Sequence, residues 1–128
     1  MAWSNLFPAP QQQTLSAKYD SASAAYQGLQ AKFVPRNLDN TIFDCTPATG
    51  VDVIAMNIAG KSSFRIETEL GGTLVAADAT GITISLSAAD LATLTDLGTA
   101  NASFVLKVTD GTNQIVLGYG SLNTAYVR

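Results

Sequence analysis

The chain has 128 residues and a mass of 13.3 kDa, which suits one domain built on one modest core. Only 13% of its residues are charged against 47% hydrophobic, which excludes a disordered acidic tail and a soluble coiled coil. The net charge of −3 argues against a basic nucleic-acid footprint, and the absence of histidine excludes Ser-His-Asp catalysis and His-ligated metals.

The opening run Met1-Ala2-Trp3-Ser4-Asn5-Leu6-Phe7-Pro8 has neither a positive n-region nor an unbroken apolar stretch, so no secretory signal is expected. No window approaches 18 consecutive apolar residues and no Lys/Arg cluster occurs, so neither a membrane span nor a polybasic membrane patch is expected.

Residues 1–40 differ from the rest. They carry three cations (Lys18, Lys32, Arg36) against Asp20 and Asp39, a net of +1, whereas residues 41–128 carry four cations against eight acids, a net of −4. Three of the four prolines and the run Gln11-Gln12-Gln13 also fall here, which reads as an N-terminal arm (1–40) ahead of a compact domain (41–128). Leu15, Tyr19, Ala22, Tyr26, Leu29 and Phe33 are spaced 4, 3, 4, 3, 4, the repeat of one helix face. Thr14 is placed to cap that helix and Pro35 to end it, while Gly28 opposes it by about 1 kcal/mol. Such a helix needs a surface to lie on, either its own domain or a neighbouring subunit. On the second reading Trp3, Leu6, Phe7, Leu15, Tyr19, Tyr26, Leu29 and Phe33 are anchors for a partner, since aromatic side chains dominate interfaces.

From residue 41 the period becomes two. Thr41–Cys45 and Val51–Asn57 are β-rich runs separated by a turn at Thr46-Pro47-Ala48-Thr49-Gly50. Ser63–Leu70 alternates, with Phe64, Ile66 and Leu70 on one face and Arg65, Glu67 and Glu69 on the other. Gly71-Gly72 then turns the chain into Thr73–Ala76, and Ile82, Ile84 and Leu86 alternate again. Ser87–Leu94 predicts a short helix capped by Ser87, with Asp90 in its first turn and Gly98 closing it. A hairpin follows, Ala102–Thr109 returning as Gln114–Tyr119 through Asp110-Gly111, with Leu122–Val127 as a last strand or its continuation past a kink at Gly120. About seven short strands with turns every ~8–12 residues predict an antiparallel sandwich or small barrel.

Little in this pattern carries chemistry. Glu67 and Glu69 would stand about 7 Å apart by the strand rise, but they share a solvent face with Arg65, whereas a catalytic pair needs one desolvated acid. Asp110-Gly111-Thr112-Asn113 begins like a calcium loop and lacks the later ligands. Gly118-Tyr119-Gly120 lacks the third glycine of a dinucleotide fingerprint and marks a bulge or a close backbone approach instead. Cys45, the only cysteine, allows no intrachain disulfide; it has Asp44 beside it and no cation, so a buried, unreactive thiol is expected. No enzyme activity, cofactor or metal is expected.

Residues 64–128 do resemble a known family. The succession Phe64-Arg65-Ile66-Glu67, Gly81-Ile82-Thr83-Ile84-Ser85-Leu86, Ser87-Ala88-Ala89-Asp90-Leu91, Phe104-Val105-Leu106-Lys107-Val108-Thr109-Asp110-Gly111 and Val116-Leu117-Gly118-Tyr119-Gly120 is similar to the Ig-like N-terminal domain of tailed-phage upper baseplate and fibre-attachment proteins. The resemblance covers about half the chain, rests on pattern and carries no catalytic residue across. It implies a non-enzymatic virion part that holds other subunits. The expected fold is a small antiparallel β-sandwich, Ig-like or jelly-roll-like, with one short helix; the extended, partly helical N-terminal arm in front of it is a departure from that family. Those proteins continue into a fibre region, whereas a small sandwich behind a long arm is built like a capsid decoration (cement) protein. The expected function is therefore a virion structural protein assembled in the host cytoplasm. Its partners would be the major capsid protein, or tail and baseplate proteins, and further copies of itself, with no nucleic acid and no membrane. A tail, baseplate or neck adaptor is the alternative, and a carbohydrate- or receptor-binding module a third reading that needs an exposed aromatic such as Tyr119 or Tyr126.

Overall fold

A computed structural model describes residues 8–17, 19–20, 25–57, 66–96 and 101–123; for residues 19, 20, 25, 26, 57, 66–68, 93–96 and 101 it describes the backbone alone. In chain order the elements are β1 (Gln11–Ser16), β2 (Tyr19–Asp20), β3 (Ala25–Tyr26), β4 (Leu29–Phe33), β5 (Gly50–Asn57), β6 (Ile66–Glu69), β7 (Thr73–Asp78), β8 (Gly81–Leu86), α1 (Ala88–Asp96), β9 (Asn101–Thr109) and β10 (Gln114–Asn123). A five-stranded sheet runs β1-β10-β9-β5-β6, a three-stranded sheet runs β4-β8-β7, and β2 and β3 form a two-stranded ribbon. The all-β expectation with one short helix holds at this level. The larger sheet is mixed rather than purely antiparallel, because β1 lies parallel to β10.

Alternation explains how two sheets share one core. Val51, Val53 and Ala55 of β5, Ala102, Phe104, Leu106 and Val108 of β9, and Ile82, Ile84 and Leu86 of β8 are all buried, with intervening residues turned outward. Together with Leu91 of α1 they form a single apolar cluster. The helix starts where Ser87 predicts: the Ser87 hydroxyl accepts the Asp90 N–H at 3.1 Å, and the Asp90 carboxylate accepts the Ser87 N–H at 3.4 Å, a reciprocal cap.

The hairpin of β9 and β10 forms as expected, its turn held by the Asp110 carboxylate accepting the N–H groups of Thr112 (3.0 Å) and Asn113 (2.8 Å). β10 continues through Gly120 to Asn123 as one strand, with a bulge between Val116 and Gly118. Both glycines mark close approaches: a Cβ on Gly118 would fall 2.5–2.6 Å from the Phe33 ring, and Gly120, at φ 151°, is pressed against the backbone of Gln13. Thr41–Cys45 is not a strand. Carboxylate–threonine turns at Asp39 and Asp44 interrupt it, leaving Ile42 in a single bridge to Arg36 while Phe43 and Cys45 point into the core.

The helix expected along Leu15–Phe33 does not form in the described part of that stretch. Leu15 lies on β1, and Leu29 and Phe33 lie on β4, paired with Leu86 and Ile82 of β8. The reason is arithmetic: a step of four residues is even, so Leu29 and Phe33 share a strand face as readily as a helix face, and Ala31 completes that face. Gly28 and the serines withhold the propensity that would favour a helix, and β8 and β10, each with one side left for pairing by the downstream strands, supply strand partners. Residues 11–16 and 29–33 are thus strands of the same two sheets as the downstream chain, not a helical arm beside them.

Candidate functional site

The eight expected anchors divide three ways. Leu15 and Phe33 are core side chains, Phe33 fully buried and edge-on to Phe104 with ring centroids 6.0 Å apart; Leu29 is half-buried and packs on the same cluster. These three are occupied by the chain's own fold, which corrects their placement as partner anchors: strand parity turns them inward. Tyr19 and Tyr26 face each other across β2 and β3 by register, and their side chains lie outside the described residues. Trp3, Leu6 and Phe7 lie outside the described residues altogether.

Exposed apolar side chains sit elsewhere. Among the described residues five large ones are at least about a third exposed: Leu38 (99%), Ile42 (36%), Val75 (48%), Val116 (38%) and Tyr119 (42%). Two are on one hairpin. Arg36 and Ile42 form an antiparallel bridge, the Asn37 N–H donates to the Thr41 carbonyl at 2.8 Å, and the Asn40 N–H donates back to Asn37 at 2.9 Å. Asn40 takes φ 70°, which asparagine tolerates. The Asn37 amide donates to the Thr41 hydroxyl (3.0 Å) and the Ile42 carbonyl (3.3 Å). The Asp39 carboxylate accepts the Thr41 N–H (3.1 Å) and hydroxyl (2.6 Å), and the Arg36 guanidinium donates to the Asn40 carbonyl at 3.2 Å. Every residue from Arg36 to Thr41 has a local task in this turn except Leu38.

Val116 and Tyr119 belong to the outer face of the five-stranded sheet. Register places Gln12, Tyr119, Val105, Ile54 and Glu69 in one row across all five strands. The next row holds Val116, Lys107 and Asp52. The middle of this face is apolar, and its β5–β6 margin carries the carboxylates of Asp52 and Glu69. Of the Glu67 and Glu69 pair expected on a solvent face, Glu69 is exposed, and the Glu67 side chain lies outside the described residues.

Three aspartates sit in the same kind of threonine turn. The threonine two residues on donates its hydroxyl, and then its N–H, to Asp39, Asp44 and Asp78, holding each carboxyl below the usual range. Cys45 lies beneath two of them. Burial first, then the carboxylates of Asp44 and Asp78, push its thiol up to about 11, and the thiol leans on the Phe43 carbonyl at 3.5 Å. A thiol so protonated is a packing group and no nucleophile at neutral pH.

Among the described residues no three cysteine or carboxylate side chains converge as metal ligands, and no helix is long and apolar enough to cross a membrane. The hairpin is legible in part: Asn37-Leu38-Asp39-Asn40 is turn chemistry, and a leucine in its centre is the sequence signal that sets it apart. No family model and no curated protein matches the sequence.

Proposed function

We propose that this chain is a non-enzymatic structural protein of a tailed-phage virion, acting as a capsid decoration protein that binds neighbouring shell subunits. The observation that supports the reading is the distribution of exposed apolar groups: a hydrogen-bonded hairpin presents Leu38 and Ile42, and the outer face of the five-stranded sheet presents Val116 and Tyr119. Both are adhesive features of the kind that mark protein contacts. The likeness of residues 64–128 to the Ig-like domain of baseplate and fibre-attachment proteins supplies the virion context, and the Ig-like or jelly-roll assignment stands on the same likeness. Of the anchors proposed for the arm, Trp3, Leu6, Phe7, Tyr19 and Tyr26 keep their role in this reading, and the hairpin joins them in place of Leu15, Leu29 and Phe33. A tail, baseplate or neck adaptor uses the same surfaces on a different partner. The exposed ring of Tyr119, with Gln12 opposite it in register and Ser121 two residues along the same strand, favours a carbohydrate-binding module.

Electron microscopy of virions labelled with an antibody raised against the full chain tests the proposal. Label spread over the head supports decoration. Label confined to the neck or tail tip selects the adaptor, and unlabelled virions overturn the virion reading and leave glycan binding at Tyr119 to be assayed.

A further inference from the structure

A fourth aspartate, Asp110, sits in the same kind of turn as Asp39, Asp44 and Asp78, and it differs from them in two ways. In Asp39-Asn40-Thr41, Asp44-Cys45-Thr46, Asp78-Ala79-Thr80 and Asp110-Gly111-Thr112 alike, the aspartate Oδ1 accepts the threonine N–H at 2.8–3.1 Å. At the first three the threonine hydroxyl adds a bond of 2.5–2.6 Å. At Asp110 the hydroxyl stands back at 3.4 Å and the Asn113 N–H takes its place, 2.8 Å from the same oxygen. The second difference is the residue that follows the aspartate. Asn40, Cys45 and Ala79 carry side chains, whereas Gly111 carries none. It is exposed in the β9–β10 turn, and beyond its chain neighbours nothing lies within 4 Å of the place a Cβ would take.

An aspartate side chain and the backbone nitrogen of the next residue are spaced to close a five-membered ring. The nitrogen attacks Cγ, and glycine obstructs that approach least, having no Cβ. In the carboxylate one negative charge is shared by two oxygens. As Gly111 N bonds to Asp110 Cγ the charge gathers on one of them, and the N–H groups of Thr112 and Asn113 both point at Oδ1. Donors aimed at the oxygen where charge gathers favour the closing state over the starting one, which is how an oxyanion hole works. The Gly111 proton passes through solvent to Oδ2, and Oδ2 leaves as water with a second solvent proton. The product is a neutral succinimide. Water then opens it: addition at Cγ restores aspartate, and addition at the main-chain carbonyl carbon gives isoaspartate. Either opening takes up one water and returns one proton as the new carboxyl ionises, so mass and charge end where they began.

We infer that Asp110-Gly111 is a site of self-modification, at which the folded turn converts Asp110 to isoaspartate through a succinimide. Isoaspartate lengthens the main chain of the turn by one methylene and moves the carboxylate from the end of the side chain to Cα. The bonds to Thr112 and Asn113 that hold the turn are lost, and the β9–β10 hairpin is loosened there. This chemistry is independent of the virion reading and of the surfaces on which that reading rests.

Ageing the purified full chain in buffered heavy-oxygen water tests it. Each opening of the ring leaves one heavy oxygen on residue 110, which digestion in ordinary water and fragment mass spectrometry locate. Label is expected to accumulate at Asp110 and to stay at background at Asp39, Asp44 and Asp78, whose turns share the threonine bond and lack the glycine. Accumulation is expected to be faster in the folded chain than in the same chain unfolded in urea, where the two N–H groups no longer converge. Gly111→Ala is expected to lose the label. Its φ of 106° strains an alanine, so if that variant melts below wild type the three other turns serve as the comparison within one folded molecule. Absence of label at Asp110 in the folded chain overturns the inference. Equal label at the other three aspartates does so too, because the glycine then decides nothing. A folded rate at or below the unfolded rate also overturns it, because the turn then hinders ring closure.

Discussion

The side-chain oxygen of Gln11 accepts the backbone N–H of Val34 at 2.6 Å, a bond between the two sheets made by a side chain where a strand partner would otherwise stand. Ala9 and Arg36 are paired through their backbones, 2.8 and 3.2 Å. Two residues further along, the strands have splayed, and Gln11 reaches across to Val34; two further still, the Gln13 amide donates to the Lys32 carbonyl. The antiparallel register thus continues through glutamine side chains, and the Gln13 amide also donates to the Gln11 oxygen at 3.3 Å. Edges of β1 and β4 that would be open to other chains are closed.

Gln11→Ala strands the Val34 N–H in a partly buried seam, so it should lower unfolding free energy by about 1–3 kcal/mol. Gln12→Ala, whose side chain points to solvent, should stay within about 0.5 kcal/mol of wild type. Urea unfolding of both variants checks the contrast, and equal effects would remove the seam from the argument.

Phe33 and Gly118 are a matched pair. Gly118→Ala puts a methyl group 2.5–2.6 Å from the Phe33 ring and should cost about 1–3 kcal/mol by overpacking. Phe33→Ala should cost about 3–5 kcal/mol, a large share of a small domain's stability. In the double variant Gly118→Ala with Phe33→Ala the two costs should be less than additive, because the added methyl group no longer meets a ring, and a double-mutant cycle in urea reads this directly. Additive costs would mean that the ring and the glycine do not share a site.

That pair also marks what the sequence disclosed. Alternation in Val51–Asn57, Ile82–Leu86 and Ala102–Val108 revealed the central strands, Ser87 and Asp90 revealed the helix start, and the two glycines of Gly118-Tyr119-Gly120 signalled a close approach. The place of Phe33 is not legible, because its four-residue spacing from Leu29 suits either period and only the partner strand β8 decides between them. Leu38 is legible only in part: its place amid the turn residues Asn37, Asp39 and Asn40 marks it, whereas its degree of exposure is a property of the fold. The parallel pairing of β1 with β10 joins residues about a hundred positions apart, and local sequence is silent on such pairings.

Acid should loosen the turns. Threonine donors hold Asp39, Asp44 and Asp78 below the unfolded value of 3.8, so the folded chain binds these protons more weakly than the unfolded chain. Their contribution is complete above that value and is lost as pH falls through the lower folded values. The urea midpoint should therefore fall below about pH 4. Thr80→Val, which removes the hydroxyl that bonds Asp78 at 2.5 Å, should make that fall shallower. An unchanged acid slope in Thr80→Val would show that the hydroxyl bond does not set the carboxyl's affinity for protons.

Alkali should act through Cys45 in the opposite sense. Its thiol ionises at about 11 in the folded chain against 9.0 for an ordinary cysteine, because burial and the carboxylates of Asp44 and Asp78 disfavour a thiolate there. The folded state keeps its proton through a range in which the unfolded state has lost it. The stabilisation is thus complete below pH 9.0 and drains away as pH rises to about 11. Two units of difference set an upper bound of about 2–3 kcal/mol on the loss. Cys45→Ala removes the group and should flatten that part of the stability–pH curve relative to wild type, whatever lysines and tyrosines contribute to both. The same burial predicts that a thiol reagent at neutral pH labels wild type only at the rate of unfolding. Identical alkaline slopes in the two proteins, or rapid labelling without denaturant, would place the thiol at the surface and refute the account.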